Sequence, residues 1–106
     1  MKISYFVAMS TALSFASSAF AADDGEALFK KNNCVACHAP ANKSVGPSLA
    51  DIAAKYKSDK AAPATLEAKV RSGGKGSFGT MAMPPTAKTV SDADIKAMVA
   101  WVLKQK

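Results

Sequence analysis

Two cysteines separated by two residues and followed at once by a histidine constrain this chain more than any other feature: Cys34, Cys37 and His38. The C-x-x-C-H spacing is the attachment signature of a c-type haem, in which two thiols add across the porphyrin vinyl groups and the imidazole binds the iron. Two intervening residues let both sulfurs reach one edge of the ring and place His38 beneath it as the proximal ligand. The spacing therefore predicts one covalently bound haem c with its iron.

Other uses of a Cys-x-x-Cys pair explain less of the chain. A zinc site needs about four nitrogen or sulfur ligands, whereas the chain has two cysteines and one histidine. A thioredoxin-like redox pair follows a strand, but the residues before Cys34 have the pattern of a short helix. Buried or disulfide-bonded thiols are the remaining alternatives.

The first 21 residues have the three parts of a secretory signal peptide. Lys2 supplies the positive charge, residues 3–15 are mostly apolar, and an Ala-x-Ala cleavage site ends at Ala21. The apolar run is too short and too rich in Ser and Thr for a membrane span. The sequence thus predicts a cleaved signal peptide, residues 1–21, export from the cytoplasm, and a mature domain, residues 22–106, with no membrane span.

The size and charge of the predicted mature chain narrow its class further. Its 85 residues form one domain whose protein core alone is only marginally stabilising, so a haem at its centre would supply much of the core. Without Lys2 the net charge is +5 rather than +6, which suggests an anionic partner. Nucleic acid is not indicated, because the lysines are scattered and no aromatic residues alternate with them.

Four short helices and no strand are predicted along the mature chain. Asp23 or Asp24 caps the first helix, which places Leu28 inward with Phe29 beside it and ends at the Asn32-Asn33 pair. The second helix covers residues 48–56 and the third residues 64–71, which a glycine stop follows. A long loop, residues 73–89, then leads to the last helix, and a loop of that length in a small domain is usually functional.

The last helix has the strongest local signals. Ser91 with Asp94 three residues later is typical of a capping box. Apolar residues follow at helical spacing and form one stripe: Ile95, Met98, Val99, Val102 and Leu103. The predicted fold class is therefore all-α, with short helices wrapped around the haem.

The ligand at the sixth coordination position of the iron distinguishes an electron carrier from a gas-binding or catalytic haem protein. His38 is the only histidine, so a second histidine ligand is excluded. Met98 belongs to the apolar stripe and is predicted core, which leaves Met81 and Met83. The Pro84-Pro85 pair favours Met83, because proline restricts the backbone of the residue before it; Met81 is the alternative.

These features together resemble the small bacterial class I cytochromes c, in particular the cytochrome c-551 (c8) group of periplasmic electron carriers. The resemblance covers nearly the whole mature chain. It rests on five segments: residues 28–30 (LFK), 34–39 (CVACHA), 45–47 (VGP), 83–85 (MPP) and 100–106 (AWVLKQK).

The resemblance implies the class I cytochrome c fold and roles for several residues. Met83 would be the distal ligand, and the carbonyl of Pro47 would accept a hydrogen bond from His38 Nδ1. The first and last helices would cross at Gly25, with Phe29 and Trp101 packed beside the crossing. Phe78 and Thr86 depart from the pattern, since relatives often carry there a tryptophan that binds a haem propionate and an asparagine near the methionine ligand.

The predicted function is one-electron transport between respiratory redox proteins, an electron donor and a terminal reductase or oxidase, by a monomeric mono-haem protein. No acid-base or nucleophile constellation accompanies the haem motif, so the chain is not predicted to be an enzyme. The rivals are a five-coordinate haem protein that binds gas or has peroxidase activity, and a haem subunit of a larger enzyme. Acidic docking surfaces on the partners would meet the positive charge, with Lys43, Lys75 and Lys88 as candidates.

Overall fold

Four α-helices and one turn of 3-10 helix make up the described part of the chain, residues 22–106 of this computed structural model. In order they are α1 (Ala22–Lys31), the 3-10 turn (Cys34–Ala36), α2 (Leu49–Tyr56), α3 (Ala62–Ser72) and α4 (Asp92–Leu103). Residues 22–106 contain no strand, only an isolated antiparallel bridge between Gly74 and Met83. The predicted all-α class is confirmed; the predicted signal peptide lies outside the described residues.

The first and last helices cross, and a glycine permits their close approach. A Cβ atom on Gly25 would lie 2.5 Å from the carbonyl oxygen of Ala97 and 2.6 Å from Cβ of Trp101, far inside van der Waals contact. Beside this point the rings of Phe29 and Trp101 pack with their centroids 5.2 Å apart. The crossing implied by the family resemblance is therefore present.

The inward face of α1 differs from the prediction. Phe29 is 5% exposed and belongs to the core, whereas Leu28 is only half-buried at its edge. The prediction that Leu28 is the inward residue is wrong, because the contact with Trp101 turns the Phe29 side of the helix toward α4. A ten-residue helix with two adjacent large apolar residues has no periodicity that could choose between them.

The core lies where α4 meets the other three helices. In α4 the buried residues recur every three or four positions, so the predicted apolar stripe is confirmed. Met98 is 3% exposed and is core, as predicted. The buried cluster consists of Phe29, Leu49, Ile95, Met98, Val99 and Val102.

Serine side chains begin α2 and α4. Ser48 Oγ accepts a hydrogen bond from the backbone N–H of Asp51, and Ser91 Oγ accepts one from that of Asp94, both at 3.1 Å. Each bond satisfies an N–H that the first turn of a helix leaves unpaired. The start of α4 is therefore as predicted, whereas α2 begins at Leu49, one residue after the predicted start, because Ser48 is its N-cap.

The other two helices begin earlier than predicted. Asp23 and Asp24 lie inside α1 rather than capping it, because that helix already begins at Ala22. Acidic residues in a first turn are compatible with the positive end of the helix dipole. In α3 the start is Ala62 rather than residue 64, because Pro63 fits the first turn, where its missing N–H costs no hydrogen bond.

Candidate haem-binding site

The C-x-x-C-H motif follows α1 through one left-handed residue. Asn33 has φ of 60°, a conformation that asparagine tolerates, and it ends the helix as predicted. The backbone N–H groups of Cys37 and His38 then donate to the carbonyl oxygen of Cys34, at 3.2 and 3.0 Å. The resulting 3-10 turn holds the two thiols and the imidazole on one short segment. Both cysteines are half-buried and are not joined by a disulfide.

The Cys34 thiol is shielded from water more than the thiol of a fully exposed cysteine. Burial raises its pKa, and the neighbouring Cys37 thiol adds to the rise against the opposing effect of a backbone hydrogen bond. Before haem attachment Cys34 is therefore protonated at neutral pH. Conversion to a thioether removes this titratable group.

The imidazole of His38 is held on two sides by the loop that follows it. Nδ1 donates a hydrogen bond to the carbonyl oxygen of Pro47 at 2.8 Å, which leaves Nε2 available as a ligand atom. A Cβ on Gly46 would lie 2.7 Å from His38 Cε1, so the loop approaches this closely only because residue 46 has no side chain. The Gly46 N–H also donates to the carbonyl oxygen of Cys37 at 2.8 Å. These contacts fix the orientation of the ring.

The backbone of Met83 is pinned against the end of α3. Met83 N–H donates to the carbonyl oxygen of Gly74 at 2.8 Å, and Gly74 N–H donates to that of Met83 at 2.9 Å. Gly73 ends α3 with φ of 68°, and a Cβ there would clash with the Met83 carbonyl oxygen and lie 2.8 Å from Pro85 N. Met83 is half-buried, whereas Met81 is 70% exposed. Only one of the two candidate methionines therefore stands on a fixed backbone.

The preceding part of the loop, residues 75–82, is held by a lysine from α2. Lys55 Nζ donates to the carbonyl oxygen of Ser77 and lies 4.5 Å from the ring centroid of Phe78, within cation–π range. The ring of Tyr56 meets Phe78 edge-on at 6.5 Å. Phe78 has no hydrogen-bond donor of its own, but the ammonium group of Lys55 beside it is one.

Exposed apolar side chains are concentrated around the motif and the two loops. Four large ones are exposed in residues 22–106, and all lie in segments that carry the candidate site: Val35, Val45, Phe78 and Met81. Apolar surface in these segments fits a large apolar ring bound beside them. The donor set of two thiols, one imidazole and one thioether is also that of a c-type haem. The residues present therefore fit the cofactor.

Sequence reasoning missed three residues that shape this site. Gly46 makes room for the His38 ring, Lys55 holds the Phe78 segment, and Arg71 binds the far end of the loop. Gly46 lies in the Val-Gly-Pro segment on which the family resemblance partly rests, so the sequence could have indicated its role. The sequence did not indicate the roles of Lys55 and Arg71, because their partners lie 16 to 22 residues away along the chain.

Comparison with known proteins agrees with this geometry. The family described as Cytochrome c matches residues 22–106. Cytochrome c-552 of Nitrosomonas europaea is 49% identical over 79 residues, 74% of this chain and 76% of that protein. Cytochrome c-551 of Pseudomonas aeruginosa is 45% identical over 85 residues, 80% of each chain.

Solved structures give the same result for the fold. The crystal structure of wild-type Nitrosomonas europaea cytochrome c552 superimposes with a TM-score of 0.72 at 48% identity. The match covers 76% of this chain and 99% of that one. The family match includes the C-x-x-C-H motif and all four helices. This chain therefore belongs to the cytochrome c family, as a small class I member of the c-551 type that carries electrons on one covalently bound haem c.

Proposed function

We propose that His38 and Met83 would bind the haem iron and that Cys34 and Cys37 would form the thioethers. The observation that carries the choice of methionine is the paired hydrogen bonding of Met83 to Gly74, at 2.8 and 2.9 Å. A ligand of an electron carrier should keep one position in both oxidation states, which a fixed backbone permits. Met81 is 70% exposed and stands outside that bridge.

The surrounding residues tune this arrangement. The hydrogen bond from His38 Nδ1 to the Pro47 carbonyl orients the imidazole and makes Nε2 a better donor to a metal. A thioether ligand stabilises the reduced iron and so raises the reduction potential relative to two histidines. The haem itself supplies the one-electron chemistry, and the chain supplies ligands and an apolar enclosure.

The proposed role is transport rather than catalysis. Methionine ligation fills the position that a gas or a peroxide would need. The C-x-x-C-H segment and residues 73–90, here called the methionine loop, offer no acid-base pair beside the proposed iron ligands. We therefore propose a carrier that is not an enzyme. We also propose that it functions as a monomer.

The proposed location is the periplasm, after cleavage behind Ala21. The family match begins at residue 22, where the predicted mature domain begins, which supports this boundary. No helix in residues 22–106 is long and apolar enough to cross a membrane. The proposed partners are respiratory redox proteins, an electron donor and a terminal reductase or oxidase, with acidic surfaces that complement the lysines.

Replacement of each methionine tests the ligand assignment. Met83→Ala should abolish the near-infrared sulfur-to-iron charge-transfer band of the ferric protein and lower the reduction potential, because the soft thioether is lost. Met81→Ala is the matched control and should leave both nearly unchanged. The opposite pattern would assign the ligand to Met81, and a band absent from the wild type would favour a five-coordinate haem protein.

A further inference from the structure

Arg71, near the end of α3, reaches across to the last part of the methionine loop. Its Nη1 donates to the carbonyl oxygen of Ala87 at 3.1 Å, and its Nη2 donates to that of Val90 at 2.6 Å. Nη2 also contacts Asp92 Oδ1 at 2.6 Å. One guanidinium thus joins α3, the loop and the first residue of α4.

These contacts extend the row of bonds that begins at Met83. Gly74 pairs with Met83 in both directions, and Thr86 N–H donates to the carbonyl oxygen of Val70 at 3.2 Å. Arg71 binds the chain further on. The end of α3 therefore holds the loop from residue 83 to residue 90, and Arg71 is the only side chain in that row.

We propose that Arg71 is a positioning residue that keeps this part of the loop closed on α3 and thereby keeps Met83 at the iron. The proposal rests on the proposed role of Met83 as a ligand. Arg71 contacts no ligand atom and acts through the backbone between residues 83 and 90.

The chemistry of the contacts explains why an arginine suits this position. A guanidinium presents several donors in a planar fork and can bind two carbonyl oxygens at once. Bonds from a charged donor are stronger than neutral ones. The ion pair to Asp92 should matter less, because that side chain is 96% exposed and such pairs contribute little.

Cyanide binding to the ferric holoprotein measures whether the loop opens. Cyanide reaches the iron only in molecules whose methionine has left it, so the apparent rate constant follows the open fraction. Loss of two charge-assisted bonds in Arg71→Gln should accelerate binding on the order of tenfold. Arg71→Lys keeps the charge but not the fork and should lie between wild type and Arg71→Gln.

Two further variants separate loop positioning from general destabilisation. Asp92→Asn retains both carbonyl bonds and should change the rate by less than about twofold. Val102→Ala removes two methyl-sized groups from the core of α4 and lowers global stability. It should leave the rate unchanged, because local opening is far more frequent than global unfolding. The charge-transfer band should remain in all four variants at rest.

The outcomes distinguish this inference from the ligand assignment. A wild-type rate in both Arg71→Gln and Arg71→Lys, with fast binding in Met83→Ala, would overturn the role of Arg71 alone. Equal acceleration by Val102→Ala and Arg71→Gln would also overturn it, since general stability would then explain both. If Met83→Ala binds cyanide no faster than wild type, the ligand assignment fails, and the role of Arg71 fails with it.

Discussion

His38 and Met83, the two proposed ligands, are held in different ways. Around His38 the contacts come from its own neighbourhood: the Pro47 carbonyl accepts its hydrogen bond, Gly46 adjoins its ring, and the Phe29 ring lies 6.4 Å away. All three lie within nine residues of it along the chain. Met83 itself pairs with Gly74, nine residues away, but the loop segment that follows it is tied to α3 through pairs 16 to 19 residues apart.

The difference predicts which side of the haem is the more labile. The His38 side forms when one turn and one short loop form. The proposed thioether bonds of Cys34 and Cys37 lie in the same turn. The Met83 side forms only when α3 is packed on α4 and the loop has closed on α3. We therefore expect local opening to begin at the methionine loop, which closes on α3 through contacts distant along the chain.

Removal of the covalent anchor should have the largest effect. With both Cys34 and Cys37 replaced by alanine, the chain should retain no haem after acid-acetone extraction. It should also be largely unfolded by far-ultraviolet circular dichroism, because a core of this size is marginal without the ring. Met81→Ala, which leaves the thioethers intact, is the control. Haem that resists extraction from the double variant would contradict the assignment of the two cysteines.

Alanine at Gly73 should disturb the methionine side of the haem. An alanine there would have to adopt the positive φ of 68°, and its Cβ would overlap the backbone of Met83 and Pro84. We expect a loss of about 2 kcal/mol in the free energy of unfolding and a weakened charge-transfer band. Gly76→Ala is the matched control, with φ of 107° and nothing within 4 Å of its Cβ. Equal weakening of the band by both variants would show that the φ penalty, rather than contact with Met83, is responsible.

Alanine at Gly46 should disturb the histidine side of the haem. Its Cβ would displace the His38 ring and weaken the bond to the Pro47 carbonyl, so the hyperfine-shifted His38 resonances of the ferric protein should move. The charge-transfer band should persist, because Met83 is anchored elsewhere. Loss of the band in Gly46→Ala would mean that the two sides are coupled and that the comparison between them is wrong.

Charge reversal on surface lysines should have the smallest effect and shows which side faces a partner. Lys43→Glu changes the histidine side, whereas Lys75→Glu and Lys88→Glu change the methionine side. Each should slow the reaction with an acidic redox partner several-fold at low salt, without changing the spectrum. The difference should fade toward about 0.15 M salt, where screening acts over about 8 Å.

The control for charge reversal is Lys96→Glu, an exposed α4 lysine outside both loops. It should slow the reaction less than the loop variants. Rates that do not depend on salt, or equal slowing by Lys96→Glu, would mean that the charge does not steer docking to the loops.

Local signals were sufficient for the parts of the fold that depend on neighbouring residues. A serine cap and an apolar period predicted the start of α4, and both are present at Ser91 and along the helix. The inward residue of α1 was not predictable in this way, because Leu28 and Phe29 are alike in character and only contact with Trp101 distinguishes them.

The sequence alone predicts the cofactor and its attachment, because C-x-x-C-H chemistry acts within five consecutive residues. It also reduced the distal ligand to two methionines and favoured Met83 through the backbone restriction that Pro84 imposes. The way the loop is held depends on tertiary contacts of Gly73, Arg71 and Lys55, which local sequence does not predict. A long basic side chain can reach many carbonyl groups, and which one it binds depends on how α2 and α3 pack beside the loop.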